Sequence, residues 1–326
     1  MNNTYRGPLL KTIEQIAESF APWNPGTELT VGLFSSVVPE FDERAFREAL
    51  VNAFGHRDYS VLGRVRVLVD DAGLTIANPG GFVEGINVHN LLTAEPHGRN
   101  PCLMDALKRT GLAERTGRGI DRIFEGALNY GRPLPDYSRS NGRGVSVLLP
   151  RSAPDEAFVE LLAEERERSG KSMSLDGLLI LDKLKRERRC GFDALSESLD
   201  MSDQRLRTVL GQLTESGLVE SSGTNARRTY TLGAKVYRRS GKTVEYVRQS
   251  GIDRVRYPEL IMKLMREQKS VSKNDVMELL HLDENQAYYQ LRKLVGEGRA
   301  KKVGGGRNVR YEEMQRDDDG ISGEQF

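Results

Sequence analysis

The second half of the chain contains an internal repeat, and this repeat restricts the possible folds more than any other feature of the sequence. A shift of 81 residues, without gaps, superposes residues 195–230 on residues 276–311. A period of this length indicates two copies of a small domain, because solenoid repeats are shorter, at about 20–50 residues. The coinciding positions are apolar residues, glycines and tyrosines: Leu195 with Val276, Leu199 with Leu280, Met201 with Leu282, Leu210 with Leu291, Leu213 with Leu294, Gly217 with Gly298 and Tyr230 with Tyr311.

Each copy has the pattern of a helix, a short helix, a turn, a third helix and a basic hairpin. Ser202 is placed to cap the third helix of the first copy, and Asp283 with Gln286 fits a capping box in the second. Gly217 and Gly298 then fit the left-handed stop that ends a helix. This pattern resembles a pair of winged helix-turn-helix domains, which we place at residues 176–250 and 251–311.

The charge distribution is consistent with nucleic-acid binding in this half. Residues 176–311 carry 27 Lys and Arg against 18 Asp and Glu, whereas residues 1–150 carry 16 against 17. The last segment, 312–326, has one Arg and six acids and is predicted to be a disordered acidic tail. A solvated charged surface would explain the same numbers equally well, so charge alone decides nothing.

The N-terminal half (1–150) is predicted to be an α+β domain, followed by a charged linker helix at 151–175. Apolar residues recur at helical spacing in some segments and alternate in others. The predicted helices are 1–21, Ala45–Ala53, Pro101–Thr110 and Gly119–Asn129, and the predicted strands are Arg64–Asp70, Leu74–Ala77 and Gly144–Leu149.

Three groups of polar residues and glycines in this half have spacings that suit a phosphate-containing ligand. Glu48 and Asn52 are one helical turn apart, so an Asn oxygen can bind Mg²⁺ while the Glu orients a water. The alternative is a solvated polar stripe. The glycines of Asn78-Pro79-Gly80-Gly81 allow close backbone approach after a strand, although the same residues suit an ordinary turn. Arg99-Asn100-Pro101 and Gly117-Arg118-Gly119 precede predicted helices, whose N–H groups can bind phosphate.

In this order and spacing, REALVNAFGHRDYS, NPGG, RNP and ERTGRGIDRI resemble the C-terminal ATP-binding module of proteins labelled "ATP-dependent DNA helicase RecG-related". That module is a divergent relative of the GHKL ATPases, and the resemblance covers about residues 5–150. It implies a GHKL-like α/β sandwich, ATP and Mg²⁺ as cofactors, Asn52 as the Mg²⁺ ligand and Glu48 as the candidate catalytic residue. The nucleotide-binding residues that it implies are Asn52, Asn78, Gly80, Gly81, Arg99, Asn100, Gly117 and Gly119.

This sequence departs from the GHKL pattern at two points. Asn78 stands where those enzymes usually have an Asp for the adenine amino group, and the loop around Gly117 has few glycines. With these departures the resemblance predicts nucleotide binding and leaves hydrolysis, as a weak ATPase, open. A motor helicase is not predicted, because Glu165 and Val236 stand where Walker A glycines would precede Gly170-Lys171-Ser172 and Gly241-Lys242-Thr243.

Taken together, the sequence predicts an ATP-binding and DNA-binding transcriptional regulator. One alternative is a weak ATPase that acts with a Schlafen/AlbA-type domain or protein, since such a domain commonly precedes the module in this family. The other is a protein-interaction module with a vestigial nucleotide site. A homodimer is possible with any of these functions, and duplex DNA is the predicted partner. The predicted DNA contacts are Gln204, Arg205, Thr208, Gln212, Arg227, Arg228, Tyr289, Arg292, Lys293, Arg307 and Arg310.

Two cysteines and four histidines form no cluster that suggests zinc. No apolar run approaches the roughly 18 residues of a membrane helix, and the N-terminus lacks the pattern of a secretory signal. The expected location is the cytoplasm.

Overall fold

The computed structural model describes residues 2–31, 34–95, 97–113, 117–222, 228–239, 257–280, 282, 284–305 and 309–314. It is a mixed α+β fold with small antiparallel sheets, which confirms the predicted class at that level. The chain divides into two compact units. The first contains residues 1–186 and 191–216, and the second contains residues 187–190 and 217–326.

The N-terminal half is built on a three-stranded antiparallel sheet, in which the central strand β4 (Gly73–Pro79) lies between β3 (Arg66–Asp70) and β5 (Gly144–Pro150). Helix α2 (Glu43–Gly55) contacts β4, and helix α4 (Gly119–Leu128) packs beside α2. The elements, in chain order, are α1 (Leu9–Phe20), β1 (Gly26–Val31), β2 (Phe34–Pro39), α2 (Glu43–Gly55), β3 (Arg66–Asp70), β4 (Gly73–Pro79), α3 (Pro101–Arg109), α4 (Gly119–Leu128) and β5 (Gly144–Pro150).

Helix α2 positions the candidate site, and its sequence explains its ends and its inward face. The Asp42 carboxylate accepts the backbone N–H groups of Arg44 and Ala45, both at 2.9 Å, and so caps the helix. The apolar arc expected to face inward is buried in the structure: Ala45, Phe46, Ala49, Leu50 and Ala53 are each at most 5% exposed. The helix is longer than predicted and runs from Glu43 to Gly55.

Other element boundaries also differ from the prediction. Helix α1 begins at Leu9 because Pro8 is its N-cap, so residues 2–8 are not helical. Gly73, which was expected in the turn, starts β4 with φ at +141° and opposes Pro150. The β1–β2 hairpin was not predicted. Its strands pair from Gly26 with Pro39 to Val31 with Phe34.

The linker helix α5 (Glu156–Ser169) is followed by the two repeat copies. The elements of the first copy are α6 (Leu175–Glu187), β6 (Arg189–Gly191), α7 (Phe192–Leu199), α8 (Asp203–Glu215), β7 (Val219–Ser222) and β8 (Thr229–Leu232), and α9 (Ala234–Arg239) follows them. The elements of the second copy are α10 (Tyr257–Gln268), β9 (Ser270–Val271), α11 (Lys273–Leu280), α12 (Glu284–Gly296), β10 (Ala300–Val303) and β11 (Arg310–Glu313).

The structure confirms the duplication. The elements β6, α7, α8, β7 and β8 each begin 81 residues before β9, α11, α12, β10 and β11. The two sheets have corresponding strand orders, β6–β8–β7 and β9–β11–β10. Gly217 and Gly298 have φ angles of +72° and +67°, as expected for helix stops, and Arg188 and Lys269 share a left-handed φ of +65° and +64°.

The side-chain cap that the sequence predicts at Ser202 is not formed. Ser202 is the N-cap residue of α8, but its side chain makes no capping hydrogen bond, so the cap is a backbone feature only. Asp283, the other predicted cap, lies outside the described residues.

Candidate nucleotide site

One cavity of about 360 Å³ lies in the N-terminal half, and we call it the α2 cavity. It is bounded by α2, strands β4 and β5, the segment 81–98, α3 and the start of α4. A volume of this size is within the range of small-molecule sites. Six of the predicted site residues line it: Glu48, Asn52, Asn78, Gly81, Gly117 and Gly119.

Two polar side chains on α2, one turn apart, and a third at its C-cap line this cavity. Glu48 is 3% exposed, and its Oε1 lies 3.5 Å from Nη1 of Arg122 on α4. Asn52 follows one turn later and is half-buried. A Cβ on Gly119 would lie 2.9 Å from Oε2 of Glu48 and 3.6 Å from the Asn52 amide nitrogen. A side chain at position 119 would therefore push the Glu48 carboxylate out of its present position, whereas glycine lets α4 begin directly against this pair of side chains.

His56 is the third member of this row and was not predicted as a site residue. It lines the α2 cavity, and burial, followed by the nearby Arg99 guanidinium, lowers the pKa of its imidazole below the usual value. His56 is the C-cap residue of α2 and continues the four-residue spacing of Glu48 and Asn52, which was the sequence signal that would have identified it.

Asn78 lies at the end of β4, opposite Val145, among apolar walls. It is 7% exposed, and its Nδ2 donates to the Pro79 carbonyl at 3.1 Å. The second Nδ2 hydrogen and Oδ1 are then suited to one donor and one acceptor of a bound ring. The apolar side chains around this end of the cavity are Ile76, Phe82, Tyr137, Val145 and Val147.

The start of α4 forms the other end of the cavity. Gly117 has a φ of +78°, and Gly119 is the first residue of the helix. Lys108 and Asp121 line the cavity together with these glycines. Residues 114–116, which belong to the predicted phosphate loop, lie outside the described residues.

Arg99, Asn100 and Gly80 do not line the α2 cavity. Arg99 pairs with Asp58 at 3.0 Å and donates to the Gly81 carbonyl at 2.8 Å. Asn100 donates to the carbonyls of Gly55 and Arg57, at 2.9 and 2.8 Å, and so ties down the end of α2. These side chains brace the loops around the site, whereas the sequence prediction placed them against the nucleotide.

Gly80 belongs to the same bracing region. Its φ is +87°, and a Cβ there would lie 2.4 Å from Cβ of Asp58. The position requires glycine because Asp58, the Arg99 partner, packs directly against it.

The predicted DNA-contacting residues of the first copy lie on the exposed side of α8. Gln204, Thr208 and Gln212 are exposed. Arg205 is also exposed, but its guanidinium donates to both carboxylate oxygens of Asp176, at 2.5 and 2.6 Å. On the hairpin of this copy Arg228 is exposed, and Arg227 lies outside the described residues.

The second copy presents a different surface. Tyr289, Arg292 and Lys293 are exposed on α12, with Tyr289 at 65%. Arg310 bonds to the Ser270 hydroxyl and carbonyl at 2.8 and 3.1 Å, so its guanidinium is held against the sheet. Arg307 lies outside the described residues.

A family comparison covers the part of the chain that contributes Asn78 and the start of α4 to the α2 cavity. Residues 63–149 match the family described as "Putative ATP-dependent DNA helicase recG C-terminal". Residues 63–149 form a RecG-related, ATPase-like module. The matched range contains Asn78, Gly81, Gly117 and Gly119, while Glu48 and Asn52 on α2 precede it.

Comparison with solved structures gives fold information only. The DIP2311 protein from Corynebacterium diphtheriae matches with a TM-score of 0.59 and 22% identity, covering 94% of this chain. The present chain spans 54% of that protein. The mRNA-binding domain of elongation factor SelB from E. coli, solved in complex with SECIS RNA, covers 44% of this chain and all of its own length at 15% identity. Its TM-score of 0.17 is too low to support any argument. No curated protein matches the chain.

Two features are absent from the described part of the chain. None of its helices is long and apolar enough to cross a bilayer. No group of three or more His, Cys, Asp or Glu side chains there is arranged to hold a metal ion.

Proposed function

We propose that the RecG-related module, together with α2, forms a GHKL-like site that binds ATP with Mg²⁺ in the α2 cavity. The observation that carries the proposal is the convergence of six residues from separate segments on one cavity. Glu48 and Asn52 come from α2, Asn78 and Gly81 from the end of β4, and Gly117 and Gly119 from the start of α4.

Each end of the cavity suits one part of a nucleotide. The apolar walls around Asn78 suit a base, with the amide supplying a donor and an acceptor for its edge. The start of α4 suits phosphates, because the first N–H groups of a helix point outward and its dipole favours negative charge. The glycine at 119 lets the start of α4 lie close to the Glu48 and Asn52 side chains of α2.

The residues present also fit a Mg²⁺ ion held jointly with phosphates. Mg²⁺ keeps several waters and commonly takes only one or two protein oxygens when phosphates supply the rest. The absence of a three-ligand cluster in the described residues is therefore compatible with Asn52 as the protein ligand. When bound, Mg²⁺ would neutralise phosphate charge.

Calorimetry with Mg-ATP tests this proposal. The intact protein is expected to bind at millimolar nucleotide or below, and Asn52→Ala is expected to bind at least about tenfold more weakly while remaining folded. Asn129→Ala is the matched control, because Asn129 is exposed at the other end of α4. The absence of binding by the unsubstituted protein would refute the proposal.

Hydrolysis is a second candidate function, and the position of Glu48 favours it. Its buried carboxylate lies one turn from Asn52 and against Gly119, where a water near the terminal phosphate would sit. Glu48→Gln keeps the shape of the side chain and removes the base. Slow phosphate release that disappears in Glu48→Gln, with Mg-ATP binding retained, would support a weak ATPase; equal release in both proteins would exclude this role for Glu48.

We further propose that the two repeat copies are winged helices that bind duplex DNA, so that the chain acts as a transcription regulator. The element order and the exposed basic residues support this. Arg205 and Arg310 are held by hydrogen bonds of 2.5–3.1 Å, whereas the ion pair of Lys293 with Glu297 is longer, at 4.0 Å. The phosphate and base contacts are therefore assigned chiefly to Arg228, Arg292 and Lys293, with Tyr289 beside them.

Duplex titration across salt concentrations tests the DNA proposal. The double variant Arg292→Glu, Lys293→Glu is expected to weaken binding and lower the salt slope by about one per lost phosphate contact. Arg139→Glu, an exposed arginine of the N-terminal half, is the matched charge control. Unchanged binding in the double variant would favour the protein-interaction alternative. A Schlafen/AlbA-type partner and a homodimer stay predictions from the sequence.

A further inference from the structure

The segment that roofs the α2 cavity also contacts the first repeat copy. Leu91, Leu92, Ala94 and Glu95 line the cavity, and Thr93 lies between them in the same turn. The Thr93 hydroxyl donates to Oδ2 of Asp200 at 2.5 Å. Asp200 ends α7 and lies three residues before α8. We call residues 90–95 the roof turn.

Hydrogen bonds within the roof turn hold its residues in one arrangement, so its residues are expected to move together. Both Thr93 and Ala94 donate their N–H groups to the Asn90 carbonyl, at 3.1 and 2.8 Å. The Asn90 side chain in turn donates to the Gly85 carbonyl and accepts from the Asn87 N–H, each at 2.8 Å. Displacement of Leu92 or Ala94 by a ligand would therefore also displace Thr93.

Asp200, which accepts the hydrogen bond from Thr93, has an unusual backbone conformation. Its φ is +49°, a left-handed conformation that non-glycine residues other than Asn and Asp rarely adopt. The carboxylate accepts the Thr93 bond beside the turn between α7 and α8, and both side chains are exposed. A shift of the roof turn would therefore act first on the residues just before α8.

An electrostatic effect adds to this contact at the start of α4. The hydrogen bonds from Arg205 on α8 to Asp176 raise the pKa of its guanidinium, and the Asp121 carboxylate, which lines the α2 cavity, raises it further.

We propose that Asp200 is a positioning residue of the nucleotide site, which holds the roof turn through Thr93 and couples nucleotide binding to α8. The inference rests on the nucleotide site proposed above. It makes the first repeat copy part of the nucleotide-binding machinery. Without the Thr93–Asp200 bond the roof turn has more freedom, and nucleotide binding must then order it.

By reciprocity, a nucleotide that binds the held roof turn better must strengthen the contact and protect the start of α8. The first copy is thus assigned to nucleotide response rather than to DNA recognition alone.

The test compares Mg-ATP affinity in intact proteins. Thr93→Val removes the donor at nearly constant shape, and Asp200→Ala removes the acceptor. Both are expected to weaken binding about three- to tenfold, the effect of one hydrogen bond. Asp200→Asn keeps an acceptor oxygen and tolerates the left-handed φ, so it is expected to bind within about twofold of the unsubstituted protein. Asp71→Ala, in the exposed β3–β4 turn, is the matched control.

A double-mutant cycle and hydrogen exchange separate coupling from a loss of folding. Thr93→Val and Asp200→Ala together are expected to weaken binding no more than either alone, because each removes the same contact. Mg-ATP is expected to slow exchange of the Leu206 N–H, which bonds to the Ser202 carbonyl at 2.9 Å in the first turn of α8. This slowing should disappear in Thr93→Val.

The outcomes distinguish this inference from the proposed nucleotide function. If the unsubstituted protein does not bind Mg-ATP, both are overturned. If it binds, and Asn52→Ala loses binding, but Thr93→Val and Asp200→Ala match the unsubstituted protein in affinity and in α8 exchange, only the role of Asp200 is overturned.

Discussion

The packing of α4 on α2 leads to a prediction in which one substitution has opposite effects at two positions. Gly126 lies in α4, where a Cβ would come within 2.6 Å of Cβ of Ala45 and 2.9 Å of Cβ of Asp42. Both partners are on α2 or cap it, so neither is the end of a flexible side chain. Gly211 lies in α8, where an added Cβ would meet no atom within 4 Å.

The expected free energies follow from these contacts. Replacing a helical glycine with alanine stabilises a helix by about 1 kcal/mol when nothing obstructs the new methyl group. Overpacking of a close helix–helix contact costs about 1–3 kcal/mol. Gly211→Ala should therefore raise the free energy of unfolding by up to about 1 kcal/mol. Gly126→Ala should lower it by up to about 2 kcal/mol, a difference of about 1–3 kcal/mol between the two variants.

Urea denaturation followed by fluorescence measures both variants in the same compact unit. Trp23 is the single tryptophan and belongs to that unit, as do Gly126 and Gly211. Gly126→Ala should also weaken Mg-ATP binding, because α2 carries Glu48 and Asn52 while α4 begins at the phosphate end. If Gly126→Ala were as stable as Gly211→Ala, the close α2–α4 contact would not set the position of the site.

Three further predictions concern single groups. Gly119→Ala should leave the fold intact but weaken Mg-ATP binding, because the new Cβ would lie only 2.9 Å from Oε2 of Glu48 and would displace that carboxylate. Calorimetry measures the binding, and circular dichroism measures the fold. The pKa of His56 is lowered in the folded protein, so the unfolded chain takes up the proton at a higher pH than the folded chain does. The free energy of unfolding should therefore fall as the pH drops below about 6.5. His56→Gln should make this fall smaller, as measured by urea denaturation at about pH 5 and about pH 7.5. Ser202→Ala should change the free energy of unfolding by less than about 0.5 kcal/mol, because its side chain makes no capping bond. Asp155→Ala should cost about 1 kcal/mol or more, because the Asp155 carboxylate accepts the Phe158 N–H at 3.1 Å and pairs with Lys185 at 2.6 Å.

The sequence was sufficient for features that repeat or that depend on local periodicity. The 81-residue offset identified two copies, and five elements of each copy begin at that offset in the structure. The apolar arc of α2 followed from helical spacing, and so did the closeness of Glu48 to Asn52. These features are set by residues within one or two turns of each other, which is why pattern alone reveals them.

Features that depend on tertiary contacts could not be read in the same way. Arg99 and Asn100 looked like ligand groups because they precede a helix, yet their hydrogen bonds go to residues about 18 to 45 positions away. The β1–β2 hairpin was missed although its strands contain several β-branched residues. Its strands show no clear alternation of apolar and polar residues, and its turn region has no Asn-Gly or Asp-Gly signal.

The two copies show that a shared pattern does not imply a shared role. The position of Arg205 in the first copy corresponds to Gln286 in the second, 81 residues later, so the ion pair with Asp176 has no counterpart of the same type. Helix α8 belongs to the compact unit that contains the α2 cavity, whereas α12 belongs to the other unit and exposes Tyr289, Arg292 and Lys293. An aromatic ring beside two cations suits contact with bases and phosphates, while α8 has part of its polar face bonded within its own unit. If DNA binding is carried by these copies, substitutions on α12 should therefore affect affinity more directly, and substitutions at the start of α8 should act mainly through the nucleotide.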